Sequence, residues 1–126
     1  MTSGVVLYIE DNVTNWFLME RILARFPLVN LISIESAELG LELAKSTHLD
    51  LILMDINSPG MDGYQALEQL RIDDETRAIP VIALSANIDP FDIEQGQAAG
   101  FADYLTKLFN IKQVCEVVSD LLNRSS

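Results

Sequence analysis

Residues 49–63, LDLILMDINSPGMDG, constrain the fold of this chain more than any other stretch. They begin with a short apolar run, which is typical of a strand buried on both faces of a parallel sheet. The run stops at Asp55, and residues 58–60 and 62–63 then supply turn chemistry. Asp55 is therefore predicted at the carboxyl end of a buried strand, where ligands bind in open α/β sheets. Its position leaves three roles open: metal ligand, nucleophile or helix cap.

Length, composition and charge exclude several classes of protein. The chain has 126 residues and 49% hydrophobic residues, which fits a single domain over residues 1–126 with a core at about 5–122 and no output domain. No apolar run reaches membrane-span length, and no basic region precedes the first one, so a cytoplasmic protein is expected. The net charge of −11 argues against binding to nucleic acid or to anionic membranes. The single Cys115 excludes an internal disulfide.

The apolar pattern alternates between strand-like and helix-like segments along the whole chain. Each strand candidate is followed by a stretch with helical spacing, such as Leu18, Met19, Ile22, Leu23 and Phe26 before Pro27. Strands joined by helical crossovers form a parallel sheet with helices on both faces. The predicted strands are residues 5–9, 28–34, 49–55, 80–84 and 101–106.

Chemically active side chains lie at the ends of four of these strands. Glu10 and Asp11 come after the first, Asp55 is the last residue of the third, Ser85 comes after the fourth and Lys107 after the fifth. In a doubly wound sheet these ends gather at one rim. Three carboxylates held together repel one another, and their oxygen ligands suit a hard cation, Mg²⁺ or Mn²⁺. Together with a lysine and a hydroxyl, these carboxylates also suit phosphoryl transfer. The cation and the lysine would neutralise phosphoryl oxygens, the hydroxyl would donate to one of them, and a carboxylate could accept the group.

Each member of this set also has a simpler interpretation. Asp11 can be only a helix cap, Ser85 only a turn residue, and Lys107 only a surface lysine. Their joint placement at one predicted rim is what favours a functional site.

Over residues 5–122 the sequence resembles the receiver domain of two-component response regulators. The resemblance implies a flavodoxin-like (βα)5 fold, with a doubly wound parallel sheet of five strands in the order 2-1-3-4-5. Taken jointly and in order, the matching segments are highly specific. They are LYIEDN at 7–12, LMDI at 53–56, Pro59, MDGY at 61–64, PVIALSA at 80–86 and GFADYLTK at 100–107.

The resemblance also implies a role for each matched acid. Asp55 would accept a phosphoryl group from a phosphohistidine on a histidine kinase or a histidine phosphotransfer protein. Asp11, Asp55 and the backbone carbonyl of Asn57 would ligate Mg²⁺, and Glu10 would act through a metal-bound water. Asn57 and Asn87 would influence how fast the phosphate is lost.

The remaining matched positions belong to phosphoryl binding and switching. Ser85, Ala86 and Lys107 would contact the phosphoryl oxygens. Tyr104 would turn inward when Ser85 moves toward the phosphate. The surface of the fourth helix, fifth strand and fifth helix would then change for a downstream protein target.

One departure from the family pattern concerns the residue after the lysine. The family has a proline there, normally after a cis peptide bond, and this chain has Leu108. Because a cis bond before a non-proline residue costs about 2.5–4 kcal/mol, a trans Lys107–Leu108 bond is predicted. Leu108 and Phe109 would then be exposed near Trp16, and these three residues are possible partner contacts.

Other function classes fit the sequence less well. A pseudo-receiver would bind partners without phosphorylation, but the full set of acids, hydroxyl and lysine argues against it. An aspartate-nucleophile phosphatase needs a second Asp where this chain has Asn57. A flavodoxin-like cofactor carrier needs a phosphate loop that is missing after the first strand. The prediction is a phosphoacceptor signalling domain that catalyses only its own phosphorylation and dephosphorylation.

Overall fold

The structure is a computed structural model that describes residues 2–56, 61–86, 90–107 and 110–124. Strands and helices alternate five times, as the sequence pattern predicts. Their bounds are β1 (Ser3–Ile9), α1 (Val13–Leu23), β2 (Leu28–Ile34), α2 (Ala37–Ser46), β3 (Leu51–Asp55), α3 (Gly63–Ile72), β4 (Val81–Ser85), α4 (Pro90–Ala99), β5 (Asp103–Thr106) and α5 (Ile111–Arg124).

The five strands form one parallel sheet in the order β2-β1-β3-β4-β5, which confirms the predicted doubly wound topology. From β1 the chain steps outward to β2 and then returns past β1 to β3. The carboxyl ends of β1 and β3 therefore flank the point where the strand order reverses, which is where such folds bind ligands. The register sets Asp55 beside Leu84 and Ser85 beside Thr106.

Two apolar layers cover the two faces of the sheet. One face carries Val6, Tyr8 and Leu53 against α1 and α5, while the other carries Leu7 and Met54 against α2 and α3. Every residue of β3 and β4 is buried, which explains why these strands read as continuous apolar runs. Within the described part of the chain, no helix combines the length and apolar character needed to cross a membrane.

Side-chain caps set the starts of the first three helices. The Asn12 side chain accepts from the Thr14 N–H at 2.9 Å, so Asn12 rather than Asp11 caps α1. Ser36 caps α2, and Asp62 caps α3 in a reciprocal capping box with Gln65. Asp11 is thereby left available at the rim of the sheet.

Two helix ends differ from the sequence pattern. α1 ends at Leu23, so Phe26 packs from the following turn rather than from the helix. The sequence predicts a polar last turn of this helix at residues 73–75, but α3 ends at Ile72, and the Asp73 side chain accepts from the Glu75 N–H at 2.9 Å. This local hydrogen bond competes with the helical one and ends the helix early.

Candidate functional site

Backbone hydrogen bonds extend the sheet beyond its strands and fix the site residues. The Glu10 N–H donates to the Ile34 carbonyl at 2.9 Å, and the Lys107 N–H donates to the Ser85 carbonyl at 2.8 Å. Side chains alternate along extended segments, so Glu10, Asp55 and Lys107 project toward the α1 and α5 face. Residues from three strand ends are therefore directed into one space.

The three predicted acids meet at the rim. Oxygen atoms of Glu10, Asp11 and Asp55 all lie within 4.8 Å of one another. Glu10 is 0% exposed and Asp55 2% exposed, whereas Asp11 is exposed. Burial raises the pKa of Glu10, as does its hydrogen bond with Asp55, while hydrogen bonds from Asn15 and Lys107 oppose that rise. The cluster is thus buried on one side and open to solvent at Asp11.

Lys107 lies directly against two of these acids. Its Nζ is 2.9 Å from Asp55 Oδ2 and 3.2 Å from Glu10 Oε1. Burial lowers the pKa of Lys107, but the hydrogen bonds and charges of Asp55 and Glu10 raise it by more. The ammonium group therefore stays charged at neutral pH and partly balances the acids.

The donor set fits a divalent cation. Each of the three acids offers a carboxylate oxygen, the ligand type that Mg²⁺ and Mn²⁺ prefer. Three carboxylates and one ammonium leave two formal negative charges, which a divalent ion neutralises. Glu10, Asp11 and Asp55 are therefore the described residues that would hold the ion.

The predicted hydroxyl and switch residues lie on the neighbouring strands. Ser85 ends β4, is 2% exposed and stands beside Thr106 of β5, and Ala86 follows it in an exposed bend. Tyr104 is 8% exposed and packs against Gly96 of α4. A methyl group on Gly96 would lie 2.6 Å from Tyr104 Cδ2, so glycine is what allows this close approach.

Three residues around Glu10 have contacts that the sequence pattern did not indicate. The indole N–H of Trp16 donates to the Glu10 carbonyl at 2.7 Å, and Asn15 Nδ2 donates to Glu10 Oε1 at 2.6 Å. The buried Tyr8 hydroxyl donates to the same oxygen at 3.3 Å. Trp16, expected at a partner surface, is half-buried and held within the site; a contact with a partner stays a prediction.

Several predicted residues lie outside the described parts of the chain. These are Asn57, Asn87, Leu108 and Phe109. The metal-ligating carbonyl, the tuning positions and the trans Lys107–Leu108 bond therefore stay predictions.

Residues 6–119 of the chain match the sequence model of a protein family, the response regulator receiver domain. The chain belongs to this family. It is 34% identical over 122 residues to the polar-differentiation response regulator DivK of Brucella ovis, covering 97% of this chain and 98% of DivK. The receiver domain of a Pseudomonas aeruginosa sensor histidine kinase, solved with magnesium coordinated in its active-site cleft, has a TM-score of 0.85 at 29% identity. That match covers 96% of this chain and 98% of that domain.

Relatives of this receiver domain differ greatly in length. The peroxide stress-activated histidine kinase mak1 of Schizosaccharomyces pombe is 32% identical over 123 residues, which cover 94% of this chain but only 8% of the kinase. Receiver domains thus occur both as nearly whole proteins and as small parts of kinases. That this chain is a single domain without an output domain stays a prediction.

Proposed function

We propose that this receiver domain acts in a phosphorelay by accepting a phosphoryl group on Asp55. One observation carries the proposal. The Asp55 carboxylate is buried at the end of β3, within reach of two further acids, and Lys107 Nζ lies 2.9 Å from it. A carboxylate in this setting can form an acyl phosphate while neighbouring charges neutralise the phosphoryl oxygens.

The transfer is a displacement at phosphorus. An Asp55 carboxylate oxygen forms the new P–O bond, and the P–N bond of the donor phosphohistidine breaks. The bonding pair returns to the imidazole nitrogen of the donor. Asp11, Asp55, the Asn57 carbonyl and, through water, Glu10 would hold a Mg²⁺ or Mn²⁺ ion, which when bound neutralises charge on the phosphoryl group.

The other site residues stabilise the transferred group and transmit its presence. The Lys107 ammonium, the Ser85 hydroxyl and the Ala86 N–H donate to phosphoryl oxygens. Movement of Ser85 toward the phosphate opens space that Tyr104 enters, which changes the surface of α4, β5 and α5. Asn57 and Asn87 tune the loss of the phosphate.

The partners follow from this chemistry. The donor is a histidine kinase or a histidine phosphotransfer protein, since several relatives are parts of histidine kinases. The receiver of the signal is a downstream protein that recognises the changed surface of α4, β5 and α5. The net charge of −11 supports a domain that binds neither nucleic acid nor anionic membranes, and we propose that it acts in the cytoplasm.

Intact-mass spectrometry tests the phosphoacceptor directly. The protein is incubated with a small phosphodonor, with Mg²⁺ or with EDTA. We expect one acid-labile phosphoryl group, formed only with the divalent cation and lost in Asp55→Asn. Asp74→Asn is the matched control, because Asp74 is an exposed aspartate paired with Arg77 at 3.1 Å. Equal labelling of Asp55→Asn and the parent would remove Asp55 from this role.

The labelling experiment tests the first alternative, and an assay of phosphate-ester turnover tests the second. A pseudo-receiver would show no labelling under any condition while keeping its fold. An aspartate-nucleophile phosphatase would instead turn over a generic phosphate ester many times.

Amide chemical shifts with and without a phosphate mimic test the proposed change in the surface of α4, β5 and α5. Shifts confined to the acidic cluster would count against that change.

A further inference from the structure

One carboxylate oxygen of Glu10 is surrounded by donors. Oε1 accepts from Asn15 Nδ2 at 2.6 Å and from the Tyr8 hydroxyl at 3.3 Å, and it lies 3.2 Å from Lys107 Nζ. The other oxygen, Oε2, has Lys107 Nζ at 3.5 Å. Because the Glu10 side chain is 0% exposed, its orientation is set by these protein groups rather than by solvent.

The positions of the neutral donors follow from local geometry. Tyr8 precedes Glu10 by two residues in an extended segment, so both side chains project to the same face of the sheet. Asn15 lies in the first turn of α1, and the next residue, Trp16, donates its indole N–H to the Glu10 carbonyl at 2.7 Å. Consecutive residues of α1 therefore hold both the backbone and the carboxylate of Glu10.

Neutral donors and Lys107 act differently toward a cation. Lys107 carries a positive charge and therefore competes with a divalent ion for the same carboxylates. Asn15 and Tyr8 stabilise the negative charge of Glu10 through hydrogen bonds but add no positive charge. Their contacts are thus compatible with a cation beside Glu10, whereas those of Lys107 oppose it.

We propose that Asn15 and Tyr8 are positioning residues that hold the Glu10 carboxylate in the orientation needed to bind a divalent cation. This inference rests on the cation site of the proposed function. Removing a hydrogen-bond partner of a metal-binding side chain typically weakens metal binding by about 10–100-fold. For the short Asn15 contact we expect about tenfold, at the low end of that range. For the Tyr8 contact we expect only about threefold, because at 3.3 Å it is a long and therefore weak hydrogen bond.

A magnesium titration monitored through amide chemical shifts measures the change in Mg²⁺ affinity without any phosphorylation. Asn15→Ala and Tyr8→Phe should each raise the Kd for Mg²⁺ by the factors given, while both proteins stay folded. Asn30→Ala and Tyr64→Phe are the matched controls and should bind as the parent does. Asn30 is exposed on β2, and Tyr64 packs against Phe101 on the opposite face of the sheet, with ring centroids 5.4 Å apart.

A double-mutant cycle separates positioning from a general structural effect. If Asn15 acts through Glu10, adding Asn15→Ala to Glu10→Gln should change the Kd by less than about twofold. An undiminished tenfold effect in that background would overturn the inference, as would parent-like affinity in both Asn15→Ala and Tyr8→Phe. A parent protein that binds no Mg²⁺ would instead overturn the cation site of the proposed function. The two failures are therefore distinguishable.

Discussion

Replacing Lys107 with Met tests whether one ammonium group allows two carboxylates to stay buried. Lys107 Nζ lies 2.9 Å from Asp55 Oδ2 and 3.2 Å from Glu10 Oε1, and those acids are 2% and 0% exposed. Methionine keeps an unbranched side chain but removes the charge. Removing one partner of a buried ion pair costs about 3–5 kcal/mol. Since 25% of the Lys107 side chain reaches solvent, we expect the low end, about 3 kcal/mol.

Denaturant unfolding near neutral pH in EDTA measures this loss. A loss of about 3 kcal/mol corresponds to a decrease in Tm of about 12 °C for a domain of this size. Added Mg²⁺ should restore part of the stability, because it neutralises the same carboxylates by mass action. Lys112→Met is the matched control, since Lys112 is exposed on α5, and its effect should stay within about 0.5 kcal/mol.

The pH dependence of the loss gives an independent check. Burial raises the pKa of Glu10, so between its usual and its raised value the folded protein keeps a proton that the unfolded chain has lost. Stability therefore falls as the pH rises through that window. The hydrogen bond from Lys107 lowers the pKa of Glu10, so Lys107→Met should raise that pKa further and widen this pH range. The difference in stability between Lys107→Met and the parent should therefore be smaller in mild acid than at neutral pH. A Lys107→Met protein as stable as the parent near neutral pH in EDTA would refute the reasoning.

Three further substitutions test other parts of the structure. Gly96→Ala should lower the free energy of unfolding by about 1 kcal/mol and shift the NMR signals of the Tyr104 ring, because crowding outweighs the gain in helix propensity. Unmoved ring signals would contradict the packing. Asp11→Ala should abolish the rise in Tm produced by Mg²⁺, and an unchanged rise would remove Asp11 from the cation site. Leu108→Pro should change the loop and the stability, because the parent bond is predicted trans; a crystal structure with a cis Lys107–Leu108 bond would contradict this.

The sequence pattern was sufficient to predict the alternating strands and helices and the meeting of Glu10, Asp11, Asp55 and Lys107 at the rim. The strand order came from the family resemblance. In β3 and β4 both faces are buried, so each appears as a continuous apolar run that ends in a recognisable turn or bend. Parallel strands joined by helices must place their carboxyl ends at one edge. Asp55 and Lys107 are 52 residues apart in the chain and 2.9 Å apart in space, and this convergence follows from topology.

Helix ends and side-chain contacts between elements required the tertiary structure. α3 ends at Ile72 because the Glu75 N–H donates to the Asp73 side chain, and this hydrogen bond replaces the one that would continue the helix. The contact of Gly96 with Tyr104, and that of Asn15 with Glu10, depends on how each helix is rotated about its axis when it packs on the sheet. Apolar periodicity predicts which side of a helix is buried, but not which polar atom it brings within hydrogen-bonding distance of a strand end. That choice is made by how the helix packs on the sheet, where a rotation of the helix by a few tens of degrees makes or breaks a contact.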